Sequence, residues 1–143
     1  MAIPVSFAPE PSVLRPPIPN RVLVVDDEPL IRWSLCMALE AAGFDAVPAS
    51  NGQEARRLAT EWPPPRVAVI DLLGAQDTRE LLDFVRRIYA DCRFVLMTTS
   101  RQQSVRYQRH RLQVIEKPFD LNTVVAVIRN LLEDVPGGGS QST

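Results

Sequence analysis

Five residues whose side chains could share one reaction stand at the ends of four short apolar runs. Asp26 closes RVLVVD (residues 21–26) with Asp27 directly after it, Asp71 closes RVAVID (66–71), Thr98 closes RFVLMT (93–98) and Lys117 closes LQVIEK (112–117). Carboxylates brought together repel one another, so such a cluster is tolerable only with a cation among them, and oxygen-only ligands select a hard ion such as Mg²⁺. A carboxylate can also act as a nucleophile toward phosphorus, giving an aspartyl-phosphate, once metal and lysine neutralise the incoming charge. A hydroxyl can then hydrogen-bond the phosphoryl oxygens. Taken singly, each residue has a plainer reading: an acidic pair favoured by a helix dipole, a surface lysine, a β-branched strand residue. Their shared position at the ends of apolar runs is what points to chemistry.

The elements that must position them follow from the pattern. The four runs are short, rich in Val and Ile and nearly free of polar alternation, as parallel strands covered on both faces are. FDAVPA (44–49) is a fifth strand, which Pro48 confines to an edge. Between them lie helical stretches. Pro29 to Ala42 starts with a first-turn proline, places Ile31, Leu35, Ala38 and Ala42 on one stripe and stops at Gly43. Asn51 to Glu61 ends before Trp62 and three prolines; Thr78 to Tyr89 carries Leu81, Leu82, Val85 and Ile88; Leu121 to Glu133 carries Val125, Ile128 and Leu132. The βα unit repeats five times, which implies right-handed crossovers and a doubly wound α/β sheet with helices on both faces. In that architecture the strands' carboxyl ends share one edge, where ligands bind, so all five residues should converge there.

Composition sets the limits of the folded unit. The chain has 143 residues, 45% hydrophobic and 23% charged, an ordinary balance for one globular domain. Residues 1–20 hold six of the thirteen prolines and 135–143 are rich in Gly and Ser, so both ends are expected to be disordered tails around a domain at 21–134. The N-terminal stretch lacks a basic start and an unbroken apolar run, and no segment has the eighteen or so apolar residues of a membrane span. A cytoplasmic protein without membrane attachment is expected. A net charge of −1 gives no general pull toward nucleic acid or anionic lipid. Cys36 and Cys92 lack metal-ligand spacing and read as buried thiols; the basic run of Arg101, Arg106, Arg109, His110 and Arg111 reads first as a solvated face, then as a partner-docking patch and last as a nucleic-acid contact, with His110 a surface residue.

The acidic pair in VVDDEP, the acid in VIDLL, the hydroxyl in VLMTT and the lysine in EKPF resemble the receiver domains of two-component response regulators, over roughly residues 21–134. The resemblance implies a flavodoxin-like five-stranded parallel sheet of order 2-1-3-4-5. It implies Asp71 as phosphoacceptor, Asp27 binding Mg²⁺ directly, Asp26 binding it through water, and Leu73 lending a backbone carbonyl to the metal. Thr98 and Lys117 would contact the phosphoryl group. The partners it implies are a sensor histidine kinase or histidine phosphotransfer protein and a downstream protein target, without direct DNA binding; it also admits a homodimer. Helix 1 looks closest to receivers that precede ATPase-type activators, but no such output domain follows in this sequence, which reads as a stand-alone phospho-receiver that catalyses its own phosphorylation.

Four departures from the family pattern stand out. Gly74 and Ala75 occupy the loop after Asp71 where Met and Pro are usual, Thr99 replaces a small residue, and Val114 replaces the switch aromatic. The interval from Thr98 to Lys117 is short, and SRQQSVRYQRHR has Val105 as its only aliphatic, so the fourth helix is expected to be short, distorted or absent. Phosphorylation should then act on the Thr98 to Arg111 segment directly. Two other classes compete with a phospho-receiver: a degenerate receiver used as a phosphate-independent interaction module, and a haloacid-dehalogenase-type phosphatase. The last requires a DxD pattern on the first strand, whereas Glu28 stands two residues after Asp26.

Overall fold

Why the apolar runs become the middle of this protein is visible in their registers. The computed structural model describes residues 20–61, 63–71, 75–108 and 112–133. Within them lie β1 (Arg21–Val25), α1 (Pro29–Ala41), β2 (Asp45–Ala49), α2 (Gly52–Ala59), β3 (Val67–Asp71), α3 (Ala75–Ile88), β4 (Arg93–Thr98), α4 (Arg101–Gln108), β5 (Gln113–Glu116) and α5 (Leu121–Glu133). All neighbouring strands are parallel, in the order β2-β1-β3-β4-β5. The predicted α/β class and strand order are both present, with β2 and its Pro48 on the edge. The expected tails, except Asn20, lie outside the described residues, as do Leu73 and His110.

Successive strand residues point to opposite faces, and two cores result. Val22, Val24, Val67, Val69, Val95, Met97 and Ile115 pack under α1 and α5, against Leu35, Leu39, Val124 and Ile128. Leu23, Val25, Ala68, Ile70, Leu96 and Val114 pack under α2 and α3, against Ala55, Ala59, Leu81, Leu82 and Val85, with Tyr107 of α4 at the margin. This double coverage is why the strands carry no polar alternation.

The helix faces differ from the sequence pattern in phase. On α1 the fully buried residues are Leu35 and Leu39, not Ala38, because the helix is rotated so that the stripe of Leu35 and Leu39, one i to i+4 step, faces the sheet. Helix α3 starts at Ala75, three residues before Thr78, and Ile88 at its end is 39% exposed. Val125 and Leu132 of α5 are half-buried, with Val124 taking the buried position. Helix α4 is present and, as expected, short: eight residues, of which Ser104 is buried while Val105 is exposed.

Local chemistry fixes the helix ends. Pro29 occupies the first turn of α1, where no N–H partner is needed. At its other end Gly43 takes φ 96, and the Gly43 and Phe44 N–H groups donate to Glu40 and Leu39 carbonyls at 3.0 Å, the Schellman pattern. Asn51 caps α2 by accepting from the Glu54 N–H at 2.8 Å, while the Glu54 carboxylate accepts from the Ser50 N–H at 2.7 Å.

Candidate functional site

Register brings the candidate residues to one edge. Val25 lies level with Ile70, Asp71 with Met97, and Thr98 with Glu116, so β1, β3, β4 and β5 all end within about one residue of the same line. The Lys117 N–H donates to the Thr98 carbonyl at 2.8 Å, carrying β5's pairing one step further. The Asp26 N–H donates to Ala49 at 3.1 Å and does the same for β1.

Asp26 is fully buried, and its carboxylate is already engaged. One oxygen accepts from the Glu28 N–H at 2.9 Å; the other lies 3.4 Å from the Lys117 ammonium. Arg32 donates to its backbone carbonyl at 2.7 Å. Asp27 is exposed. Asp71, half-buried at the end of the central strand, receives the Lys117 Nζ at 2.9 Å. One oxygen from each of Asp26, Asp27 and Asp71 falls within 4.8 Å of the others. Lys117 thus bridges two acids from neighbouring strands, and the peptide bond to Pro118 is cis.

Charge here is unbalanced: three carboxylates face one ammonium. Burial pushes the Asp71 carboxyl above its ordinary pKa, and the charges of Asp26 and Asp27 add to this against the lowering effect of Lys117. Burial also works against the Lys117 ammonium, but its hydrogen bond to Asp71 and the two acids' charges outweigh that and hold its pKa above the usual value.

The residues fit a small hard cation. Oxygens opposite each other around Mg²⁺ lie about 4.2 Å apart, twice the usual metal–oxygen distance. With separations of up to 4.8 Å the three carboxylates gather near that spacing, so Asp26, Asp27 and Asp71 are the described residues that could hold such an ion, Asp26 with its oxygens already engaged. Leu73 falls outside the described residues.

Thr98 shares the edge and is buried, but its hydroxyl is turned to α4. It accepts from the Ser100 N–H at 2.9 Å and donates to Gln103 Oε1 at 3.1 Å. Gln103 was not among the residues expected at the site. The signal was present as Ser100-Arg-Gln-Gln103, the S-x-x-Q spacing of a capping box, which also marks where α4 starts. The cysteines take no part: Cys92 is buried and Cys36 half-buried, and burial pushes their thiols up to about 12 and about 11.

No family model matches the chain. Among curated proteins it is 26% identical over 126 residues to the phosphate regulon transcriptional regulatory protein PhoB of Pseudomonas aeruginosa, covering 85% of this chain and 55% of that protein. It is 31% identical over 116 residues to the transcriptional regulatory protein SrrA of Staphylococcus aureus, covering 79% of this chain and 48% of that one. The chain thus spans about half the length of these two relatives. Among solved structures, a response regulator receiver domain protein from Clostridium thermocellum superposes with a TM-score of 0.70 at 19% identity, over 80% of this chain and 94% of that one. The fold is that of response regulator receiver domains, and the curated proteins the chain resembles are response regulators, so both comparisons point to the receiver domains of two-component systems. No helix among the described residues is long and apolar enough to cross a membrane.

Proposed function

We propose that this domain accepts a phosphoryl group on Asp71 from a histidine kinase or histidine phosphotransfer protein, and signals through a protein partner. The observation that carries this reading is the Asp71 carboxylate held 2.9 Å from the Lys117 ammonium at the end of the central strand, with two further acids close by. An Asp71 oxygen attacks phosphorus, the bond from phosphorus to the donor's imidazole nitrogen breaks, and that nitrogen keeps the electron pair. Lys117 neutralises part of the incoming charge. Mg²⁺, held by Asp27 and Asp71 with Asp26 and the Leu73 carbonyl in support, would neutralise more. Thr98 can donate to a phosphoryl oxygen once its proton is free. On this reading the protein works in the cytoplasm with its donor, and contacts its target through protein surfaces rather than DNA.

The test is phosphorylation by a small phosphodonor with Mg²⁺, followed by intact-mass measurement. The wild type should gain one phosphoryl group and Asp71→Asn none; a phosphorylated Asp71→Asn protein removes Asp71 as acceptor. A second reading, the phosphate-independent interaction module, is favoured by one contact: the Thr98 hydroxyl is bonded to Gln103 and not to the acid cluster's side. A wild type that stays unmodified under these conditions supports it.

A further inference from the structure

The start of α4 departs from an ordinary capping box in a way that involves the site. In the usual box the N-cap hydroxyl accepts from the third residue's N–H, and that residue's side chain reaches back to the N-cap N–H. Here the first half is intact, since the Gln103 N–H donates to Ser100 Oγ at 3.1 Å. Thr98 has taken over the second half. Its hydroxyl accepts the Ser100 N–H and gives its own proton to the Gln103 side chain. A threonine hydroxyl has one proton to give. It cannot donate to Gln103 and to a phosphoryl oxygen on Asp71 at once.

We propose that Gln103 is a positioning residue for the acceptor site: it holds the Thr98 proton on the α4 side, and a phosphoryl group that takes this proton releases Gln103 and the first turn of α4. The proposal rests on the reading of Asp71 as acceptor and names the contact through which that site would reach α4. The helix is poised for such a change. Its eight residues are fewer than the twelve or so at which an isolated helix becomes even marginal, so α4 depends on its tertiary contacts. Among the described residues, α4 turns Gln103, Ser104 and Tyr107 toward β4 and β5, Ser104 alone being fully buried, and the ion pair of Arg101 with Glu116 at 3.7 Å is exposed and contributes little. One hydrogen bond therefore weighs heavily. No aromatic side chain at Val114 is needed to carry the change.

Amide hydrogen exchange over residues 101–108, with and without beryllofluoride and Mg²⁺, tests this on the full chain. Wild-type α4 should lose protection when the adduct saturates. Gln103→Ala should show that loss already without adduct and change no further, whereas Gln103→Glu, which keeps an acceptor in place, should restore the protected state. Gln103→Leu, which keeps the bulk, should behave as alanine does. The adduct should also form at about fivefold lower beryllofluoride in Gln103→Ala, because the hydroxyl no longer gives up a partner. A residue that only stabilised the helix would leave that midpoint unchanged or raise it. If the adduct forms but α4 protection stays the same, as it would if the Gln103 amide merely turned over in place, the proposal is overturned while the reading of Asp71 stands. If no adduct forms on the wild type, that reading fails and this proposal with it.

Discussion

Asp71 and Lys117 pull against each other, and each gives a stability prediction of definite sign. The Asp71 carboxyl has its folded pKa raised, so folding disfavours its ionised form. The stability tied to its protonated form is full below the unfolded value of about 3.9 and is lost as pH rises through the folded pKa. Without Mg²⁺, Asp71→Asn should therefore melt higher than the wild type at neutral pH, and the gain should vanish in acid; a lower melting point at neutral pH would contradict the burial argument. Lys117 also has its pKa raised, so its contribution is full below about 10.4 and is lost as pH rises through the folded value. Lys117→Ala leaves the fully buried Asp26 without its counter-charge and should cost about 3–5 kcal/mol in urea unfolding at neutral pH. These residues were legible in the sequence because each ends an apolar run. For Gln103 only the cap spacing from Ser100 was legible, because nothing about an uncharged residue in a polar stretch shows which strand end its side chain will reach.

At the scale of elements, existence and order were readable while phase was not. Apolar period shows that one face of α1 is buried, but choosing between Ala38 and Leu39 requires knowing how the helix is rotated about its axis against the sheet. Helix α3 begins at Ala75, three residues before the start that the apolar pattern from Thr78 marks. Caps are the more reliable punctuation. Asn51→Ala removes the side-chain acceptor for the Glu54 N–H and should cost about 1 kcal/mol in urea unfolding. The hydrogen bonds from the Ser50 backbone and then its hydroxyl lower the Glu54 pKa, so the stability they give is present above the unfolded value and fades as pH falls through the folded one. By contrast, Trp33 projects from α1 61% exposed, so Trp33→Lys should change stability by no more than about 0.5 kcal/mol. A large loss there would mean that α1's outer face is covered in solution.

For the whole molecule, the site and the fold are one thermodynamic system. The three acids come together only because β1 and β3 are neighbours in a sheet whose two faces are sealed by separate cores. Crossover topology made that convergence legible before any distance was known, whereas the unfolded chain separates Asp27 from Asp71 by 44 positions (71 minus 27) and gathers no such cluster. Mg²⁺ should therefore bind the folded state preferentially and stabilise it, by about 1.4 kcal/mol at ten times its Kd. The proton linkage has a definite direction as well. Since Asp71 is held protonated to higher pH than an ordinary carboxyl, the ion must compete with that proton, and its affinity should rise as pH climbs through the Asp71 pKa and then level off. Melting curves with and without Mg²⁺ across that pH range measure both effects at once. The Mg²⁺ increment should grow with pH in the wild type and nearly disappear in Asp27→Ala, which removes an exposed carboxylate proposed to hold the ion and belonging to neither core. An increment of equal size in that variant would place the ion elsewhere, and one independent of pH would separate it from Asp71.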